Sequence, residues 1–321
     1  MRILRNDNPL GETVVIENHD NRKGYNHPFY AFSLQEFGEP RELPHCGGWI
    51  LVRKIPDTPH KDAMGCYPLF TCRDWFKLSE DLKEFESELV SLVLVTDPFG
   101  VFDEDYLAQC FQIVRPFKRH LIADLSEGNE RFVSEHHRYY ARKSLRDLKV
   151  EICEKPVQYI DEWMKLYGNL IERHQICGIR AFSKNSFKSQ MQTPGATLIV
   201  GKLGEEVIGA HFIVIHEKAS YSHLAAFSDS GYKHSASYGI YWMTLNHLRD
   251  RNIRLLDLGA SAGVGDTVQD GLSKFKAGWS NDSRTVYLCG RVFNHEQYES
   301  IRQQFQIPEV DYFPAYRKDE F

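Results

Sequence analysis

The stretch ATLIVGKLGEEVIGAHFIVIHEKASYSHLAAFS, Ala196 to Ser228, holds three apolar, β-branched or alternating runs. The first two are parted by Lys-Leu-Gly-Glu-Glu, where Gly204 supplies the backbone freedom of a tight turn. The three runs predict a three-stranded antiparallel meander, too continuous and too β-branched to be read as helix. Upstream, Ser183 caps a short helix that runs to Met191 and is ended by Pro194 and Gly195, and Ile160 to Arg173 carries Trp163, Leu166, Tyr167 and Leu170 at helical spacing. KVEICE before them reads as a strand. Downstream come a helix over Ser235 to Arg251, the strand RLLDLG, a glycine-rich loop, the short segment GLSKFKAGW, the strand TVYLCGRV and a terminal helix near Gln297 to Phe305.

The first part of the chain is less regular. Residues 1–45 are rich in Asn, Pro, His and Gly, with one expected strand at Thr13 to Glu17. WILVRKI and CYPLFTC read as two β runs joined by a loop with Pro, Asp and Gly. Asp74 to Leu89 places Trp75, Leu78, Leu82, Phe85 and Leu89 at helical spacing, and SLVLVTD is a buried-strand run. A helix over Glu104 to Val114 and a strand HLIADL, with Pro116 upstream, close this part near Leu125. Residues 126–149 read as one linking helix on which Arg138, Arg142 and Arg146 share a face. The pattern implies a mixed-sheet α/β protein of two domains, 1–125 and 126–321, consistent with 321 residues exceeding what one core usually holds.

Composition narrows the function classes. A net charge of −5 argues against a protein coated for general nucleic-acid binding, so any polyanion is met locally. Seven scattered cysteines, with no CxxC pair, fit reduced thiols and no zinc site. No apolar run approaches the roughly 18 residues of a membrane span. The expectation is a cytoplasmic protein that does not insert into membranes and needs no metal.

The most specific segment is LDLGASAGVGDTVQDGLSKFKAGWS, Leu256 to Ser280, with the helix SASYGIYWMTLNHLRDRNI before it. It resembles the FemAB-like branch of the GNAT acetyltransferase superfamily, which carries an Asp-containing strand, a glycine-rich loop and a Gly-Leu-x-x-Phe-Lys segment near the end. Asp257, Gly259, Gly271, Leu272, Phe275 and Lys276 stand at those places. The order of strands and helices after residue 126 is also similar to the GNAT fold. The resemblance implies tandem GNAT-like domains, with the active site in the second, and transfer of an acyl or aminoacyl group to an amine. The Arg/Gln-x-x-Gly-x-Gly/Ala loop by which acetyl-CoA-dependent members bind pyrophosphate is absent, and SDSGYKHSASYGI stands in its place.

Lys276 and Asp257 are the catalytic candidates. A lysine in an apolar segment can stabilise a developing oxyanion, and a carboxylate entering a glycine loop can take a proton from an attacking amine or orient a substrate. Either can equally be structural: a surface lysine, and a strand-end Asp that caps the next turn. Gly231, Ser235, Arg142 and Arg146 are expected to meet the phosphates of the donor, and Phe275, His223, Tyr238 and Gly259 to line the substrate site. Most charge runs are solvated faces, His223 is more often a satisfied core histidine, and the glycines Gly263 and Gly265 serve flexibility more readily than an anion cradle. The donor expected is acyl-CoA, the acceptor a small amine such as an amino sugar, amino acid or peptide-like metabolite. The alternatives are aminoacyl-tRNA as donor, with tRNA then a partner, and a non-catalytic binding module on the same fold. No oligomeric state is specified.

Overall fold

A computed structural model describes residues 22–260, 271–318 and 320. The expected strand at Thr13 to Glu17, and Gly263 and Gly265, lie outside them. The strands are β1 Glu39–Leu43, β2 Gly48–Lys54, β3 Lys61–Gly65, β4 Ser91–Val95, β5 Ile113–Asp124, β6 Lys149–Cys153, β7 Ala196–Leu203, β8 Glu206–His216, β9 Ala219–Phe227, β10 Leu255–Asp257 and β11 Asp282–Val292. The helices are α1 Pro28–Ser33, α2 Leu78–Lys83, α3 Glu104–Cys110, α4 Asn129–Phe132, α5 Glu135–Asp147, α6 Ile160–His174, α7 Lys184–Gln192, α8 Asp229–Lys233, α9 Ala236–Asp250, α10 Gly271–Ala277 and α11 His295–Gln304.

All eleven strands join one mixed sheet in the order β1-β2-β3-β4-β11-β5-β10-β9-β8-β7-β6. Only β3–β4 and β9–β10 run parallel; the other neighbours are antiparallel. The meander β7–β8–β9 forms as its pattern requires, with Gly204 at φ +60°. The turn after β5 is where the sequence divides the chain, and the hydrogen bonding runs straight across it. β11 lies between β4 and β5, and β5 lies between β11 and β10. Strands from both halves therefore interleave at the centre.

Helices cover both faces. α6, α7 and α1 bury Trp163, Tyr167, Phe187 and Tyr30 against β7–β9 and β2 on one face. On the other, α5 and α9 bury Ala141, Ile240, Leu245 and Leu248 against Ile199, Ile208 and Leu256. Each buried Leu, Ile or Phe among them contributes roughly 1.5–3 kcal/mol relative to exposure. Gly239 lets α5 and α9 approach, since a Cβ there would stand 2.8 Å from Ser144 Oγ. α2 and α3 cover β2–β4 and β11, and α11 with the C-terminal segment packs on Leu288 and Val90.

Several local expectations are corrected. The strand after β2 is Lys61–Gly65, not CYPLFTC, in which only Phe70 makes a bridge, to Thr96. Pro68 has no N–H for a ladder, whereas Asp62, polar in the sequence, is fully buried and accepts two 2.9 Å bonds from Arg317. Residues 126–149 form two helices, because the chain extends at Val133 and Ser134 caps α5 by accepting from His137 N. The helix expected over Asp74 to Leu89 is a 3₁₀ turn capped by Asp74 followed by α2, which ends at Lys83. The helix expected to Val114 stops at Cys110, and β5 passes through Pro116, which sits where the register with β11 shifts between Val286 and Tyr287. A bulge is where a strand tolerates a missing donor.

Candidate active site

The site grows from a fork in the sheet. β9 and β10 pair in parallel from Ala219↔Leu255 to Tyr221↔Asp257, and there the pairing ends. The chain beyond β10 stays on β5 through Leu258 N to Leu121 O, 2.9 Å, and Leu121 N to Gly259 O, 3.1 Å. β9 bends away at a register shift against β8, where Phe212 faces Leu224 and Ile213 faces Ser222. Strand alternation sends Leu256 and Leu258 into the core under α9, and Asp257 to the opposite face.

Asp257 is buried, 3% exposed, and its carboxylate is engaged on both oxygens. Oδ1 accepts from Gly259 N at 2.7 Å, and His120 Nδ1 stands 3.0 and 2.9 Å from Oδ1 and Oδ2. The pairing Asp257↔Ile122 brings His120 there, two residues along the same face of β5. Across the next ladder Arg284 pairs with His120; its guanidinium donates to Pro98 O and lies over the Phe99 ring at 5.1 Å. Beside them Asp97 accepts from Phe99 N at 2.9 Å and from Tyr221 OH at 3.0 Å. Burial pushes its carboxyl up to about 6, with the Asp257 charge adding to the rise and the bonds from Phe99 and Tyr221 opposing it.

Lys276 enters from α10. Its ammonium donates to Ala260 O at 2.7 Å and stands 3.2 Å from where a Cβ on Gly259 would be. Gly259, at φ +75°, thus separates Lys276 from the carboxylate that its own N–H holds. The structure therefore brings together Lys276, Asp257 and Gly259.

Phe275 lies behind Lys276 in an aromatic cluster, 5.2 Å from Tyr238, 5.1 Å from Tyr241 and 6.0 Å from Trp279 between ring centroids. His137 anchors α10 there: its Nε2–H donates to Phe275 O at 2.9 Å while Nδ1 accepts from Ser134 Oγ at 2.7 Å. Burial lowers its pKa, in keeping with a neutral ring. A Cβ on Gly278 would meet that ring at 2.0 Å.

The other expected residues stand apart. His223 is used up: Tyr25 OH donates to Nδ1 at 2.9 Å, Nε2 donates to Gln190 Oε1 at 3.0 Å, and burial pushes it down to about 3. Gly231 is buried in α8, 2.2 Å from Ile208 O at its Cβ position, and its N–H goes to Ser228 Oγ. Ser235, at φ 55°, precedes α9 without a side-chain cap. Arg142 and Arg146 are exposed on α5, near Tyr139, 56% exposed, and Tyr140, whose ring lies 5.2 Å from Tyr238.

Sequence reasoning missed His120, Asp97, Tyr221 and His137. His120 stands two residues before Ile122 on one face of the strand HLIADL, and VTD ends its strand as LLD does, so two of the four had a signal. Among the described residues, no group of three or more His, Cys, Asp and Glu side chains can hold a metal ion, and no helix is long and apolar enough to cross a membrane.

Residues 133–276 match the acetyltransferase (GNAT) domain family. No curated protein matches. Among solved structures, FemX superposes with a TM-score of 0.65 at 13% identity, covering 86% of this chain and 93% of FemX. The C-terminal domain of a protein described as a lysylphosphatidylglycerol synthetase from Agrobacterium fabrum gives 0.58 at 15% identity, over 84% of this chain and 88% of that one. L-PGS from Bacillus licheniformis gives 0.55 at 15%, over 91% and 100%. At these identities the likeness to solved structures is one of fold.

Proposed function

We propose that this chain, whose residues 133–276 match the GNAT domain family and whose fold is similar to that of FemX, belongs to the FemAB-like branch of that superfamily and is an N-acyltransferase that forms an amide at the fork between β9 and β10. Lys276 and Asp257 meeting across Gly259 at that fork is the observation that carries the reading. The amine of the acceptor attacks the carbonyl of an activated ester or thioester, and the Lys276 ammonium, in a partly desolvated place, stabilises the oxyanion that forms. The acceptor's proton leaves on the side of Asp257. Holding both reactants in the fork supplies the rest of the acceleration.

The donor proposed is acyl-CoA and the acceptor a small amine, such as an amino sugar, amino acid or peptide-like metabolite. A second reading takes aminoacyl-tRNA as donor. The α5 surface favours it: Arg142, Lys143 and Arg146 are exposed beside Tyr139, a pairing of cations and open rings that suits phosphates and bases. Tyr140 and Tyr238 continue that surface to Phe275. The N–H of Gly231, engaged by Ser228, offers no support to a pyrophosphate cradle of the usual kind.

Thermal unfolding of the full chain with acetyl-CoA, longer acyl-CoAs and charged tRNA tests the donor, since a ligand that binds only the folded state raises the melting temperature. A CoA-dependent shift followed by amide product, detected by mass in a panel of amines, establishes the first reading. A shift with charged tRNA alone establishes the second. A shift with neither, or a biological role that survives Lys276→Ala and Asp257→Ala together, leaves a binding module.

A further inference from the structure

We infer that His120, oriented by Asp257, is the group that removes the proton from the attacking amine, which makes Asp257 a positioning residue; this rests on the amide-forming reading above. Both oxygens of the Asp257 carboxylate are engaged, by Gly259 N–H and by His120 Nδ1. A carboxylate so held, with 3% of its side chain exposed, is turned to the Gly259 N–H and the imidazole rather than to the acceptor. The same contacts fix the imidazole with its proton on Nδ1, pointing at the carboxylate, and leave the Nε2 lone pair as acceptor. Among the described residues nothing hydrogen-bonds Nε2, and 11% of the side chain stays exposed while Asp257 keeps 3%.

The surroundings suit a base. Asp257 of β10 faces the ring directly, Arg284 of β11 is its cross-strand partner, Asp97 at the end of β4 and Tyr221 of β9 lie beside the pair, and Lys276 of α10 stands beyond Gly259. Tyr25 packs against Tyr221 on that side, the two rings tilted with centroids 5.0 Å apart. The Asp257 carboxylate holds the ring and the Asp97 carboxyl lies beside the pair, while the guanidinium of Arg284 is turned to Pro98 O and the Phe99 ring.

The step balances as follows. The amine nitrogen forms a bond to the donor carbonyl carbon, whose π electrons move to oxygen, and Nε2 takes the proton that the nitrogen sheds. The carbonyl re-forms as the bond to the leaving group breaks. A thiolate leaves unaided, and the imidazolium then loses its proton to solvent. A ribose oxygen is a poorer leaving group and takes the proton from Nε2 as it departs. The imidazole ends neutral in both cases.

Two measurements on the full chain decide it. Nitrogen-15 spectra of the histidines, taken without any substrate, are expected to show the neutral His120 ring with its proton on Nδ1, and Asp257→Asn is expected to release that tautomer. A neutral ring carrying its proton on Nε2 overturns the inference. With the donor and amine that give product in the wild type, His120→Gln is expected to cut kcat by about 100-fold or more at little change in KM and to abolish the fall in rate on the acid side. The loss is expected to be larger with an oxygen-ester donor than with a thioester. Full activity in His120→Gln, with the acid limb retained, sinks the base alone. Product missing from the wild type sinks the amide-forming reaction and the base with it. Melting temperatures of His120→Gln and Asp257→Asn separate lost chemistry from lost folding.

Discussion

Two parts of the same sheet hold histidines, and they use them in opposite ways. In the meander, His211 bonds Thr244 at 3.1 Å and Ser222 at 2.7 Å and stacks on Tyr241, while His223 is held by Tyr25 and Gln190. Both rings are satisfied at both nitrogens, and burial pushes both down to about 3. At the centre, His120 is held at one nitrogen only, by a buried carboxylate. A histidine bonded on both sides is a piece of the core, whatever its place in the sequence. One bonded on a single side by an acid is poised for proton transfer.

The largest effect that sharpens this contrast is at Lys276. Lys276→Ala removes the ammonium beside Gly259 and is expected to lower kcat by roughly 100- to 1,000-fold, the cost of losing one oxyanion donor. The melting temperature should stay close to that of the wild type, because the side chain is only part-buried. A variant with undiminished turnover breaks the assignment of the central region as the active one.

Next comes Asp97. A buried carboxyl whose folded pKa is about 6, above its ordinary value, binds a proton more tightly in the folded state. Its cost to stability is absent below the ordinary carboxylate pKa and is complete above about 6, so stability attributable to it falls as pH rises between these limits. Asp97→Asn removes that penalty, worth up to about 3 kcal/mol, offset in part by the weaker bonds to Tyr221 and Phe99. Denaturant unfolding at pH 4 and pH 7 should show the variant gaining on the wild type at the higher pH. An unchanged difference between the two pH values refutes it.

His223→Leu acts in the other direction. A histidine whose folded pKa is depressed contributes stability that is present above its ordinary value and lost as pH falls toward about 3. Removing it should flatten the acid-side slope of stability by up to about 1.4 kcal/mol per pH unit and cost roughly 1–3 kcal/mol at pH 7, since Tyr25 OH and Gln190 lose a partner. Transfer activity should keep its pH profile. A shift of that profile in His223→Leu blurs the contrast on which the whole comparison stands.

The sequence was most legible where one local pattern decided the outcome. The meander, α6, α7, α9 and β11 follow from alternation, helical spacing and caps such as Ser183. It was least legible where distant chain segments decide. Nothing near Asp62 announces that Arg317 will bury it, so the sequence around β3 reads as loop. Likewise Lys276 and Asp257 are marked by motif, but His120 joins Asp257 only through the β5–β10 ladder, 137 positions apart. A hydrogen-bonded pair made across a sheet leaves no local spacing to find.

The smallest expected effect concerns the α5 surface, and it separates donors. Arg142 and Arg146 are exposed, so Arg142→Ala should move stability by no more than about 0.5 kcal/mol. Their role, if they meet phosphates, is in binding and should depend on salt. An acyl-CoA presents a few phosphates at one end, so each arginine lost should weaken it several-fold with a shallow salt dependence. A charged tRNA presents a chain of phosphates, and Arg142→Ala with Arg146→Ala should then lower the slope of log affinity against log salt by about one to two, since each neutralised phosphate contributes close to one counterion. Tyr139→Ala separates the cases further: the exposed ring can stack on an unpaired base, worth roughly 1–3 kcal/mol, only if single-stranded nucleic acid lies along α5. Affinity for both donors unchanged in all three variants would place the donor on another face and leave the arginines as a solvated edge of the helix.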